Sequence, residues 1–311
     1  MGSPPGRWRA LLRVVFAALF VVAVGVLVAT QWGQVRPLLG RLSVPAVLAA
    51  AAAVLAGIFG TFLCWRALLA DLGSPLPLAG AMRVFFLGQL GKYLPGSVWP
   101  VVAQMELGRD YKVPPRASGA AVVVFLLVLV GTGLVIAVPA LPLLGGAAFE
   151  RYWWTVLVLP PALVVASPPV LNRLISTALR LARRAPMPRP LSGGGIARAA
   201  GWAFASWVAY GGHVWLLAVQ LGPGPGAPGG FGLLLAATGA FAAAWTLGFL
   251  MVVAPAGAGV REAVLILLLA GALATPQATV IAVVSRLLFT AGDVVWCLPA
   301  LVAHRRAHSR P

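Results

Sequence analysis

Charge is scarce in this sequence. Only 9% of the 311 residues are Asp, Glu, Lys or Arg, and just 6 are acidic. Soluble domains carry about 25% charged residues, so a soluble globular body is excluded. Histidine and cysteine are scarcer still. The three histidines are scattered at His213, His304 and His308, which gives no metal-binding cluster. The two cysteines, Cys64 and Cys297, lie inside apolar runs without a C-x-x-C partner, so neither a disulfide framework nor a metal site is expected. No H-E-x-x-H, G-x-S-x-G or Walker loop occurs, and no G-x-G-x-x-G stands before a strand. An enzyme is therefore not expected, nor is a cofactor, nor ATP-driven pumping by this chain alone.

What fills the chain is apolar residue, 61% of the whole. At about 20 residues per span, the runs and their flanks predict helices at roughly 11–30, 44–70, 118–138, 153–171, 199–221 and 278–302. The run Val14–Ala29 follows Arg7, Arg9 and Arg13 but lacks an A-x-A signal, so it reads as an uncleaved first span. Two more regions, 80–107 and 232–273, are apolar but interrupted. The first contains QLGKYLPGSVWP (Gln89–Pro100) and the second APAGAGVRE (Ala254–Glu262). Proline removes a backbone donor and glycine permits positive φ, so each stretch should break its helix. Residues 80–91 and 96–107 are each too short, at about 18 Å of helix, to cross a core of about 30 Å, which favours a re-entrant pair. For 232–273 a re-entrant pair and two full spans are both open.

The net charge of +17 would suggest nucleic acid in a soluble protein. Here the basic residues sit between apolar runs, where they orient spans, and nucleic acid is not an expected partner. Alternate loops hold 17 basic residues against 3 (Arg36, Arg41 and Arg151). This bias places both termini and the arginine-rich loop 172–198 in the cytoplasm. It requires region 80–107 to enter and leave on the cytoplasmic side. The loop around 172–190 is expected to lie along the inner surface as an amphipathic helix.

The two interrupted regions also match in spacing. Gly88 precedes Pro95 by seven positions, as Gly248 precedes Pro255; Pro115, Ala117 and Gly131 answer to Pro276, Ala278 and Gly292 after one inserted residue. The expectation is one polytopic domain, 1–311, with inverted repeat halves 44–138 and 199–302. Inverted repeats with broken helices are an architecture of alternating-access transport.

Five ionisable residues fall at membrane depth: Lys92, Arg261, Glu262, Arg286 and Asp293, with Glu106 near an edge. Each costs about 2.5–3.5 kcal/mol at the centre on insertion scales, so each should pair or line a polar path. Arg286 and Asp293 stand two helical turns apart on one face and should seek partners elsewhere. The plain structural reading is that these charges lock broken helices onto their neighbours. The functional reading starts from Lys92 and Arg261, each beside a break whose half-helix terminus favours an anion. It takes Gln89, Lys92, Tyr93, Pro95, Gly96 and Arg261 as substrate-binding, and Glu262, Arg286 and Asp293 as a buried charge network. His213 reads as a hydrogen-bonded packing residue.

The runs GQLGKYLPGSVWPVVAQ (Gly88–Gln104), PAGAGVREAVL (Pro255–Leu265) and SRLL (Ser285–Leu288) resemble the flippase-like transmembrane family. That family includes the membrane half of bacterial lysylphosphatidylglycerol synthases and their stand-alone relatives. The resemblance runs from about residue 40 to 300 and implies a lipid flippase or exporter fold with two re-entrant regions. Two departures limit it. The sequence contains no soluble aminoacyl-transferase domain, so lipid lysylation is not carried over, and the second motif has Pro-Ala-Gly where Pro-Gly-Gly is expected. The expectation is thus an all-α integral membrane protein with about six full spans and two broken regions. It would move an anionic phospholipid or lipid-linked phosphate across the cytoplasmic membrane, with membrane lipids as partners and oligomerisation left open. The rivals are a membrane-embedded transferase or accessory subunit of an envelope-lipid pathway, and a structural partner for other membrane proteins.

Overall fold

The computed structural model describes residues 32–93, 98–144, 150, 153–187, 189–224, 226–251 and 257–308. The expected first span at 11–30 lies outside the described residues, as do 94–97 in the first break and 252–256 at the second. Among the described residues every regular element is a helix. A short α1 (Trp32–Leu39) leads into α2 (Val44–Asp71), whose first turn is capped by Ser43 and opened by Pro45. Next come α3 (Leu78–Met82), a π-helical turn (Arg83–Leu87), a 3-10 turn (Leu90–Tyr93) and α4 (Trp99–Arg109). The rest are α5 (Pro115–Ala140), α6 (Leu159–Val165), α7 (Pro168–Leu181), α8 (Gly193–Leu221), α9 (Gly230–Leu250), α10 (Val260–Leu269) and α11 (Thr275–His308).

Among the described residues, four segments are long and apolar enough to cross a bilayer: Val44–Asp71, Pro115–Leu143, Gly230–Leu250 and Thr275–Leu301. The α8 helix has 29 residues, about 44 Å, but is more polar, with Arg198, Ser206 and His213 along it. The continuous helix expected at 153–171 is not found. Trp153–Val158 is a 3-10 stretch, α6 has only 7 residues, and α6 and α7 meet at a bend of 68°. The cause is proline: Pro160, Pro161, Pro168 and Pro169 can start helical turns but cannot sit inside a helix without breaking its hydrogen bonds. The α7 helix carries the amphipathic face expected just after it. It is tied down by Asn172, which donates to the Leu191 carbonyl (2.9 Å) and accepts from the Leu191 amide (2.8 Å).

Lipid tails are as apolar as leucine, so helices in a membrane hold together by close packing rather than by escape from water. Small residues mark several close contacts between helices here. An added Cβ at Gly57 would strike the Tyr210 ring, at Gly60 Ser206 Oγ, at Gly211 the Thr238 side chain, and at Gly239 Ala140 Cβ. These four glycines bind α2 to α8, α8 to α9 and α9 to α5. Around them lie stacked and tilted aromatics, among them Phe86 on Trp296 at 5.3 Å and Phe62 against Phe85 at 5.7 Å.

The long α8 helix gives the bundle two ends. At one, Asp71 at the foot of α2 accepts from the Ser192 amide and hydroxyl, both at 2.7 Å. At the other, the Gly224 amide donates to the Ala272 carbonyl, and Gln277 donates to the Leu221 and Gly222 carbonyls, all at 2.9 Å. The hairpin made by α3 and α4 opens near the first end, where it follows Asp71 after a short loop and Arg83 pairs with Asp110 at 2.9 Å. The hairpin made by α9 and α10 opens at the second. Its α9 is about 31 Å long, enough to cross, whereas α10, about 15 Å long, is too short. Region 232–273 is therefore one full-length helix with a half-length return.

Candidate functional site

Both hairpins fold back tightly because glycine stands where two backbones meet. In the first, an added Cβ at Gly88 would overlap Gln104 Cγ, and one at Gly91 would lie 2.8 Å from Pro100 N. The π-helical turn Arg83–Leu87 inserts an extra residue just before Gln89, which re-aims the segment that follows. In the second hairpin, an added Cβ at Gly248 would lie 3.0 Å from Arg261 Cβ. Gly257 and Gly259 have φ of 67° and 95°, a backbone that only glycine adopts without strain. Glu262 Oε2 then accepts from the Gly259 amide at 2.7 Å, fixing the start of α10.

These turns deliver charges to one face of α11. Lys92 Nζ lies 2.7 Å from Asp293 Oδ2, and the Tyr93 hydroxyl donates to the same oxygen at 2.5 Å. Arg286 Nη1 lies 3.3 Å from Glu262 Oε1. Of the expected network, Glu262 and Arg286 form one ion pair, and Asp293 forms another with Lys92. Asp293 holds the first hairpin, Arg286 holds the second, and the two anchors stand seven residues apart on α11, as their spacing requires. Glu106 is elsewhere, paired with Arg109 on an exposed surface at 3.0 Å.

Arg261 is different. Its side chain is buried between two rings, with the guanidinium carbon 4.7 Å from the Phe241 centroid and 4.2 Å from that of Phe289. One Nη donates to Ser285 Oγ at 3.4 Å. All six carboxylate side chains of the chain fall within the described residues, and none lies within 4 Å of this guanidinium. Cation–π contact satisfies the faces of the ion and leaves its N–H edges for other acceptors. Ser285 also bonds His213 Nε2 at 2.9 Å, and both are almost fully buried. His213 is the packing residue expected, set edge-on against Phe241 at 5.0 Å.

Gln89, Lys92, Tyr93, Arg261, Arg286 and Asp293 all line one cavity of about 220 Å³. At about 30 Å³ per water, it holds about seven waters, a headgroup's worth of space rather than a whole lipid. Its rim is apolar and open. Leu90 and Tyr93 on the first hairpin, and Phe249 and Met251 on the second, line the cavity and are also between 37% and 44% exposed. These four residues bring the cavity wall to the surface at the ends of the two hairpins. Pro95 and Gly96 fall outside the described residues. Sequence reasoning missed Phe241, Phe289 and Ser285 as the partners of Arg261; nothing sets aromatics or serine in an apolar helix apart from ordinary packing.

The sequence matches the family model described as Lysylphosphatidylglycerol synthase TM region over residues 11–296. The chain belongs to that family. It is a multi-pass membrane protein of a family tied to lipid metabolism or transport. The family match extends over both hairpins and α11 as far as Trp296, and so over every charged residue of the cavity. A comparison with curated proteins finds no match.

Proposed function

We propose that this member of the lysylphosphatidylglycerol synthase transmembrane family moves an anionic phospholipid or a lipid-linked phosphate across the cytoplasmic membrane. The observation that carries the proposal is the cavity with Lys92, Arg261 and Arg286 on its wall, reaching the surface at the exposed, largely apolar residues Leu90, Tyr93, Phe249 and Met251 of the two hairpins. An anionic headgroup does not cross hydrocarbon unaided, because removing an unpaired charge from water is very costly. It needs a cationic site reachable from each leaflet in turn. Hairpins that open at opposite ends of the bundle suit that task and support the reading of inverted halves, 44–138 and 199–302. The bias of 17 basic residues to 3 supports a cytoplasmic position for the Ser192 end.

Two rivals are weaker on the same geometry. A structural role for the charges accounts for Lys92–Asp293 and Glu262–Arg286, which tie the hairpins to α11, but leaves Arg261 without a counter-charge. A transferase reading would draw on the one hydrogen-bonded Ser–His pair among the described residues. The hydrogen-bonded Ser285 and His213 are sealed and do not line the cavity. The test is transfer of fluorescent phosphatidylglycerol between leaflets of proteoliposomes holding the full chain. Transfer well above that in protein-free liposomes is expected. Equal rates with monodisperse, folded protein would contradict the proposal.

A further inference from the structure

Two polar side chains near the cavity are buried without partners. Gln104 on α4 is completely buried, and among the described residues neither its amide oxygen nor its amide nitrogen has a hydrogen-bond partner. Ser118 on α5 is almost as deeply buried, and its hydroxyl is unpartnered in the same sense. An unmade bond at a buried polar group costs stability, so such groups are rare and mark places where something else is accommodated. Their register shows which place. Pro100 and Val101 line the cavity, and Gln104 follows one turn further along the same face of α4. Val122 and Phe125 line it from α5, and Ser118 precedes them on their own face by one turn. Gly108 lies one more turn along α4, where an added Cβ would stand 3.9 Å from Ser118 Oγ. The two groups thus form a column in the seam between α4 and α5, running from the cavity wall towards the loop 110–114. Val113, buried against Gly108, stands at its far end, beside the Arg83–Asp110 pair where the first hairpin opens.

We infer that Gln104, with Ser118, forms a second polar subsite of the path, covered in this structure and uncovered towards the Ser192 end when the first hairpin moves. The inference rests on the transport reading above. Gly88 and Gly248 hold matching places in the two interrupted regions, and each packs against a polar residue of the helix that returns: Gly88 against Gln104, Gly248 against Arg261. Arg261 lines the cavity, whereas Gln104 is sealed from it. Two inverted hairpins that open in turn uncover one such residue while they cover the other. The amide suits a site that must be closed again when empty. It donates to phosphate oxygens and accepts from hydroxyls, yet it carries no charge, so burying it unpaired costs far less than burying an ion.

Three measurements on the full chain test it. Gln104→Met keeps the length of the side chain and removes its polar atoms. In proteoliposomes it should lower transfer of fluorescent phosphatidylglycerol about tenfold or more. In neutral detergent the same protein should melt within about 2 °C of wild type or above it, because an apolar group of similar shape leaves no bond unmade. A residue that only held the hairpin together would give the reverse, a lower Tm with unchanged transfer per folded molecule. The third measurement is reaction with a cationic, water-soluble thiol reagent in proteoliposomes. Ser118→Cys in a Cys64→Ala, Cys297→Ala background should react at least about tenfold faster than the native Cys64, itself fully buried in α2, reacts in a Cys297→Ala background. Wild-type transfer by folded Gln104→Met protein would overturn the inference and leave the proposed function standing. So would a larger loss of Tm in that variant, or a Ser118→Cys thiol no faster than Cys64. If wild-type protein transfers no lipid, the proposed function fails, and the thiol reaction alone then decides whether the seam between α4 and α5 opens.

Discussion

Replacing Asp293 by asparagine keeps the shape of the side chain and removes its charge, which tests how the first hairpin is held. The Lys92 ammonium, 2.7 Å from Asp293 Oδ2, would face an amide that no longer balances it. Unit charges 2.7 Å apart attract by about 6 kcal/mol at an effective dielectric of 20. That figure is a ceiling. The Lys92 side chain is 30% exposed, so water screens part of the attraction, and desolvation of both groups offsets more. Close charge pairs couple by about 1.5–7 kcal/mol, and this exposure puts the pair at about 1.5–3 kcal/mol. With about 2–4 °C of Tm per kcal/mol for domains of 150–250 residues, Asp293→Asn should melt about 3–12 °C below wild type. Lys92→Met keeps the aliphatic stem and leaves Asp293 its bond from the Tyr93 hydroxyl, so it should cost less. The double variant should lose less than the two single losses combined, by about the coupling energy. Thermal unfolding in a neutral detergent, followed by tryptophan fluorescence, measures all four proteins. Losses that add to within about 0.5 kcal/mol would refute the claim that this pair fastens the hairpin to α11.

Other outcomes follow from particular contacts. Gly211→Ala forces a Cβ into Thr238 and should destabilise by about 1–3 kcal/mol, while Gly212→Ala, with nothing within 4 Å, should leave Tm close to wild type. Glu262→Ala removes both the Arg286 partner and the cap on Gly259, and a loss of about 1–2 kcal/mol is expected in the same melt. Asn172→Ala severs both bonds to Leu191; trypsin should then cut faster at Arg183, Arg184 or Arg189, and an unchanged digestion rate would show that α7 is held by other contacts. Cysteine placed at Ser192 in a Cys-free background should resist an impermeant thiol reagent in intact cells; labelling from outside would reverse the orientation.

The charged members of the site could be read from sequence because a charge inside an apolar run stands out. Lys92, Arg261, Arg286 and Asp293 reach one cavity in the structure. Their pairing was only half legible. The seven-residue spacing of Arg286 and Asp293 shows that they need different partners, but no local signal says that Asp293 meets Lys92 across 201 positions of chain. Phe241 and Phe289 could not be singled out, because a ring that packs against leucine and one that sandwiches a guanidinium have the same sequence context. The run 153–171 misled for another reason. Hydropathy registers how apolar the segment is and is blind to the two proline pairs that stop its helices. The half-length α10 was hidden by the same limit, since an apolar stretch of 42 residues, 232–273, fits two spans as readily as one and a half.

The central claim is that Arg261 receives the charge of a lipid headgroup on its way across the membrane, and translocation by Arg261→Gln protein tests it most directly. Loss of one charge-assisted bond, about 1.5–3 kcal/mol, corresponds to about 10–100-fold in rate. The account predicts a fall of that size for phosphatidylglycerol in proteoliposomes, normalised to monodisperse folded protein, with Arg261→Lys retaining part of the activity. Wild-type rates in folded Arg261→Gln protein would contradict it and return Arg261 to a purely structural role.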